Sequence, residues 1–300
     1  MDCEVIYRSG DYAFRYHRNF FQWPQDAENR AVCGIACKDG LVYAATRAKK
    51  YPICVFTTEG AFVKGLGTDL EFKRSHGISI EPDGTIWVCD DQNSVVYHMD
   101  DDGRLLEQMG EKGVFSDSGY DPTVRWPHDL YTNVRAAEPF NRPTRWVRAP
   151  WGDYYCTDGY GNTAVHRFSP EKKLIRTIGG PGWGHGQFRL PHSLEFDTRD
   201  RIWVCDRENF RIQIFDKNCE FLHCISRLGR PSEVWQHQGK LYVCEEDGLV
   251  SIYNEDFERE AVIGYESCFT RIHSIGGDES GSLYLGRIEG EDSLFKLEKL

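Results

Sequence analysis

The chain has 300 residues, with 47 acidic against 36 basic side chains, a formal net charge of −11 and a pI near 5.4. That balance argues against a nucleic-acid surface, which needs a basic stripe. Apolar residues make up 40% and charged residues 28%, an ordinary globular composition, and no run of about 18 apolar residues offers a membrane span.

The opening MDCEVIYRSGDYAF has neither a basic start nor an apolar core, so it does not read as a secretory signal. The segment YAFRYHRNF that follows has strand character but belongs to no repeat. Six similar units come next, beginning near Cys33, His76, Thr144, His192, Ser232 and His273. Each starts with a short apolar strand, turns through a polar pair such as Asp-Gly, and enters an aromatic and β-branched strand. A third strand follows in most (VVYHMD, AVHRFSP, RIQIFD), and a fourth where RLLEQMG or KLIRTIGG closes the unit. Such alternation is β-hairpin grammar. Four-stranded units of about 40 residues, six times over, predict an all-β, six-bladed β-propeller spanning residues 1–300 as one domain. The last unit ends after SLFKLEKL, its third strand, so the N-terminal segment is expected to supply the missing outer strand and close the ring. The stretch from Gly110 to Pro143, carrying WPHDLYTN, is longer than other connections and is a candidate lid over one mouth.

The phase of three histidines carries the functional reading. HGISIEPDGTIWVCD from His76 aligns with HSLEFDTRDRIWVCD from His192, and HSIGGDESGSLYLGR from His273 keeps the register. Inner strands line a propeller's channel, so the six opening positions form a ring in which alternate members stand about 120° apart. Three imidazoles at that separation can face one metal and leave a further position open, the arrangement of a catalytic zinc site. Duplication of a blade pair would also place histidines in alternate units without any metal. About fourteen residues past each ring position lie Arg47, Asp90, Asp158, Asp206, Glu245 and Arg287. Aspartate there is a common turn residue bonded to backbone. Arg47 departs from that pattern, and Arg207 follows Asp206. Two guanidiniums near a metal would bind an anionic group such as a carboxylate.

Eleven cysteines, with Cys89, Cys205 and Cys244 at one repeated strand position and Cys156 close by, read as small buried groups in a reduced, cytoplasmic protein. His128 reads as a loop histidine with a lid role held open. His98, His166, His223 and His237 lie outside the ring as surface or blade contacts, and His185 sits in a Gly-rich connector. Asp100 to Gly103 lacks EF-hand spacing and reads as a hairpin turn.

The segments CTDGYGNTAVHRFSPEKKLIRTIGG, GQFRLPHSLEF and IWVCDRENFRIQIFD are similar to NHL-repeat propellers. More closely, they resemble the catalytic core of the peptidyl-α-hydroxyglycine α-amidating lyases. The resemblance covers Gly34 to the C-terminus and is strongest from Phe140 to Asp216. It implies a zinc on His76, His192 and His273, a site tyrosine at Tyr160, and substrate-contacting arginines at Arg47 and Arg207. It also implies a structural calcium on the backbone carbonyls of Ile35 and Ile78. Several positions depart from the family. Ser274 replaces its aspartate after the third histidine, and Arg271 replaces a methionine near the substrate. Gly161 replaces a cysteine, and Trp203 and Ile214 stand where a second disulfide would be. These departures fit an intracellular relative whose substrate is smaller or more acidic than a peptide.

The expected chemistry is zinc-dependent lysis of the C–N bond of an α-hydroxy amide, with zinc activating the hydroxyl. Tyr160 is the expected base, with positive charge from zinc and Arg47 favouring the phenolate, and its flanking glycines are expected to leave it exposed. Arg47, Arg207 and Arg271 are the expected substrate-binding residues, for a small anionic molecule. A metal-dependent hydrolase or lactonase-like propeller using the same histidines is the first alternative. A non-catalytic NHL-repeat binding scaffold is the second. Iron or manganese would also suit three imidazoles.

Overall fold

A computed structural model describes residues 5–264, 269–290 and 292–300. The strands form six antiparallel sheets, five of four strands and one of five. Blade 1 runs from Val32–Lys38 at the axis through Leu41–Thr46 and Ile53–Thr57 to Phe62–Leu66 at the rim. Blades 2 to 5 start on Ser75–Ile80, Pro143–Arg148, Pro191–Phe196 and Pro231–His237. Each inner strand packs on the next, and Ile272–Gly277 of blade 6 lies against Val32–Lys38, so the ring is closed.

Closure follows the expected route. Tyr12–His17 pairs antiparallel with the third strand of blade 6, Leu294–Lys299, in the register Phe14 to Lys299 through His17 to Lys296. Val5–Ser9 then adds a fifth strand that the repeat pattern did not foretell. The chain start and chain end share one sheet, which removes the edge a three-stranded blade would present.

Alternation along the strands sends one face of each blade into the layer between blades. Tyr43, Ile53 and Val55 of blade 1 meet Ile78, Val88 and Tyr97 of blade 2, all buried. Trp87 and Trp203, the repeated IWVCD tryptophans, are fully buried. Their Nε1 groups donate to Glu81 at 3.0 Å and Asp197 at 2.8 Å. In blade 6 the Tyr284 hydroxyl donates to the equivalent Asp278 at 2.7 Å. Blades 2, 4 and 6 thus share a buried aromatic ring bonded to a carboxylate as well as a histidine.

Nine described cysteines are free. Cys89 adjoins Cys156 and Cys205 adjoins Cys244 across blade interfaces, and burial pushes the Cys156, Cys205 and Cys244 thiols up. The histidines outside the ring make blade contacts: His98 stacks on Trp87 and His237 on Trp235 within their own blades, and His223 stacks on Phe257 of the next blade. His166 bonds Thr177 and Asp158, and His185 stacks on Phe221. Asp100 closes a hairpin turn through the amides of Asp102 and Arg104. No helix among the described residues is long and apolar enough to cross a membrane.

A candidate metal centre beneath a ring of arginines

All six ring positions sit at β-bulges. The register between the first two strands slips from Val32 to Gly34, Ser75 to Ile78, Pro143 to Arg145, Pro191 to Ser193, Pro231 to Glu233 and Ile272 to Ser274. The ring residue is the unpaired one in five blades, and in blade 2 His76 and Gly77 share the slip. A bulge re-aims one side chain out of the pleat, and here it turns Cys33, His76, Thr144, His192, Ser232 and His273 towards one channel.

The three alternate members without histidine position the three that have it. His76 Nδ1 lies 2.8 Å from the Thr144 carbonyl oxygen, His192 Nδ1 2.7 Å from that of Ser232, and His273 Nδ1 3.1 Å from that of Cys33. A carbonyl only accepts, so each Nδ1 carries the proton and each Nε2 presents a lone pair. The nitrogen ligand atoms lie within 4.8 Å of one another. Ring centroids are 4.6 to 5.0 Å apart. Burial pushes His76 down to about 3, and it also pushes His192 and His273 down, aided by Arg207 and the neighbouring imidazoles. Neutral imidazole is the form that binds a metal. His273 Nε2 is buried without a hydrogen-bond partner, an arrangement that costs about 1–3 kcal/mol unless something occupies it. Three oriented nitrogens with one orphaned lone pair fit a divalent transition metal. No other such cluster occurs among the described residues.

Tyr160 closes the centre from above. Its hydroxyl is 3.2 Å from His76 Nε2 and 3.2 Å from His192 Nε2. The expectation that flanking glycines leave it exposed is wrong: Tyr160 is 7% exposed and packs on Leu130 and Leu190. The glycines serve close approach instead. A Cβ on Gly159 would lie 2.3 Å from the Pro191 carbonyl oxygen, and one on Gly161 2.0 Å from Asn141 Oδ1.

Above the histidines is a pocket of about 290 Å³. It is lined by Arg47, Arg74, Arg142, Arg207, Arg230 and Arg271, one arginine from each blade. The guanidiniums of Arg74, Arg142 and Arg207 stand 4.9, 5.3 and 5.7 Å from the centre of the Tyr160 ring. Arg207 is buried between Glu208 at 3.0 Å and Glu246 at 2.8 Å, and Arg230 reaches the same two carboxylates. Arg271 pairs with Glu289 on the exposed rim. Arg47 adjoins the Cys33 thiol, and makes no ion pair among the described residues. Arg287 stands outside the pocket, 4.6 Å over Phe295.

The phase argument had located Arg47 and Arg207, and the family resemblance Arg271, but neither had pointed to Arg74, Arg142 or Arg230. The signal was present. Arg74, Arg142, Arg230 and Arg271 all precede a ring position by two residues. In blade 4 that place is Leu190, which packs on Tyr160. The repeated carboxylates take the turn role. Asp90 accepts the amides of Lys73 and Arg74, Asp158 that of Asn141, Asp206 that of Arg189 and Glu245 that of Gly229. Each anchors the loop entering its own inner strand.

The connection from Gly110 to Pro143 does lie over this mouth. Trp126 and Asp129 line the pocket, and the Trp126 ring is 6.2 Å from that of Tyr160. Ser118 Oγ donates to the Gly161 carbonyl at 2.5 Å, tying the connection to the tyrosine loop. His128 is exposed and is not among the pocket-lining residues.

On the other side of the histidines the channel holds a buried ion pair, Arg145 with Glu233. Glu233 Oε2 also accepts the amide of Ile275 at 2.9 Å. Ile275 is the blade 6 counterpart of Ile35 and Ile78, which are buried in blades 1 and 2. A guanidinium therefore supplies the positive charge at that level.

Residues 188–215 match the NHL repeat family. The chain is 28% identical over 240 residues to human NHL repeat-containing protein 3, covering 74% of this chain and 64% of that one. It is 29% identical over 237 residues to the peptidylglycine alpha-amidating monooxygenase of Rattus norvegicus, covering 72% of this chain and 22% of that one. A probable peptidyl-alpha-hydroxyglycine alpha-amidating lyase of Caenorhabditis elegans is 27% identical over 167 residues, or 54% of this chain and 42% of that protein. The chain thus spans less than two thirds of the length of each of these relatives. Among solved structures, a gluconolactonase of Xanthomonas campestris superposes with a TM-score of 0.69 at 14% identity, over 100% of this chain and 96% of that one. That likeness concerns the fold. The chain is a six-bladed β-propeller that carries an NHL-repeat match at residues 188–215 and is similar to proteins named peptidyl-α-hydroxyglycine α-amidating lyases.

Proposed function

We infer that this protein is a zinc-dependent lyase that cleaves the C–N bond of a small, anionic α-hydroxy amide, giving a carbonyl product and a free amide. The observation that carries the reading is the convergence of three neutral Nε2 atoms beneath the Tyr160 hydroxyl. Sequence similarity to named amidating lyases favours lysis over hydrolysis.

His76, His192 and His273 would hold the metal. Bound there, zinc would act as a Lewis acid towards the substrate hydroxyl and lower its pKa. Tyr160 takes the hydroxyl proton, with the guanidiniums of Arg74, Arg142 and Arg207 around its ring. The electron pair of the O–H bond becomes the second carbonyl bond while the C–N bond breaks towards nitrogen. Tyr160 then returns the proton to the departing nitrogen, so the phenol is a shuttle with no net change. Arg47, with no carboxylate partner among the described residues, holds the substrate's anionic group, and Trp126 limits the entry of water. The nine described cysteines, all free and seven of them buried, support a reducing compartment such as the cytoplasm.

The test is metal content followed by product analysis. Purified protein should carry about one zinc per chain, lost in His192→Ala. With an acidic α-hydroxyglycine amide it should release glyoxylate and the free amide. Folded protein that binds no metal, or metal-loaded protein that yields neither product, overturns the reading.

A further inference from the structure

The six arginines of the pocket are not equivalent, and the imbalance names a substrate class. On the side of blades 4 and 5, Arg207 and Arg230 are neutralised by Glu208 and Glu246. On blade 6, Glu289 neutralises Arg271. On the side of blades 1 to 3 the account is different. Arg74 and Arg142 share a single carboxylate, that of fully buried Asp91, and Arg47 has none among the described residues.

Asp91 takes Nε and one terminal nitrogen of Arg74, leaving the other terminal nitrogen with both its protons. Arg142 gives one terminal nitrogen to the Tyr120 hydroxyl at 2.6 Å and the other to Asp91 at 3.3 Å, and its Nε–H is not committed to either. A guanidinium has five donors in a fixed fork, so unspent donors on two adjacent forks make a second anion site. Asp129 is the carboxylate lining this part of the pocket, and it is already engaged by the Tyr120 hydroxyl and the Leu130 amide. Arg47, Arg74 and Arg142 come from three consecutive blades, with the Tyr160 ring beneath the last two. A pocket of about 290 Å³ lies at the small end of ligand sites and suits a compact group.

We propose that the pocket takes a compact molecule bearing two anionic groups, one held by Arg47 and the second by the Arg74–Arg142 pair. The proposal rests on the lyase reading for its chemistry, but its test does not. Binding of malonate, succinate, acetate and sulfate is measured by calorimetry on metal-free protein at low salt. Malonate or succinate should bind at least tenfold more tightly than acetate and than sulfate, which offers its charge at one point. Arg142→Gln and Arg74→Gln should bring the dicarboxylates down to the acetate level while leaving acetate within about twofold. Arg142→Lys, which keeps the charge but not the fork, should lose most of the preference. Wild-type protein that binds acetate or sulfate as tightly as either dicarboxylate overturns the proposal without recourse to any variant. A dicarboxylate preference that survives in folded Arg142→Gln overturns the assignment to this pair. Because no metal or turnover is involved, a preference found in a protein without lyase activity would sink the proposed function and leave this subsite standing.

Discussion

The Tyr160 hydroxyl lies 3.2 Å from two imidazole nitrogens that can only accept, while three guanidiniums face the ring. Removing the oxygen alone separates proton transfer from metal binding. Tyr160→Phe should retain zinc and lower turnover by about 10²–10⁴-fold, the span of a lost general acid–base. Unchanged turnover would exclude the shuttle. A second titratable group belongs to stability rather than chemistry. Burial raises Glu233 from 4.5 to about 7, against the pull of Arg145. A raised folded value means that the folded state holds the proton more tightly than the unfolded chain. This group's contribution is therefore complete below about pH 4.5 and is lost as pH rises through about 7, a change on the order of 3 kcal/mol. Urea denaturation at pH 5 and pH 7.5 reads it: the difference between the two should shrink in Glu233→Gln. An equal difference in both proteins would remove the assignment.

At the scale of strands and loops, the repeat phase made the ring legible before any coordinates. What it could not show was the bulge, because an extra residue in an inner strand leaves no mark in alternation when all six units carry it. It also could not decide between metal and duplication. Blades 2, 4 and 6 share the pairs Trp87–Glu81, Trp203–Asp197 and Tyr284–Asp278, so alternate histidines alone are what a duplicated blade pair would leave. The Nδ1 bonds to Thr144, Ser232 and Cys33 are the additional fact, since they aim all three Nε2 atoms inward. The glycines beside Tyr160 were misread for a related reason. Their role is set by Pro191 and Asn141, far away in sequence and adjacent only in the fold. Gly159→Ala tests the corrected account. Its Cβ meets a carbonyl oxygen at 2.3 Å, and backbone on both sides leaves the tyrosine loop as the part that gives. Overpacking of this kind costs about 1–3 kcal/mol, and turnover should fall while zinc content holds. Full activity in Gly159→Ala would mean that the loop position does not matter to the reaction.

At the scale of the whole ring, the three candidate ligands sit on blades 2, 4 and 6, and no two of these blades share an interface. A cation on the axis would tie together sheets that otherwise meet only at the three imidazole rings. Closure by Tyr12–His17 on Leu294–Lys299 fastens the ring at its rim, whereas the metal would fasten it at the centre. The two fastenings are therefore separable. The unfolded chain has no preformed site, so whatever binds the three imidazoles stabilises the closed propeller by mass action. At zinc a hundredfold above its dissociation constant that amounts to about 2.7 kcal/mol. For a chain of this length it is a rise in Tm of roughly 5 °C. The rise should saturate near one zinc per chain and vanish in His192→Ala, whose neighbours keep their bonds to Thr144 and Cys33. Tyr160→Phe should show it in full. Phe14→Ala, in the strand that closes blade 6, should lower the starting Tm by a core truncation of about 3–5 kcal/mol and still gain the zinc increment. If zinc raises the Tm of His192→Ala as much as that of the parent, the ion binds elsewhere, and the axial site has no place in the stability of the ring.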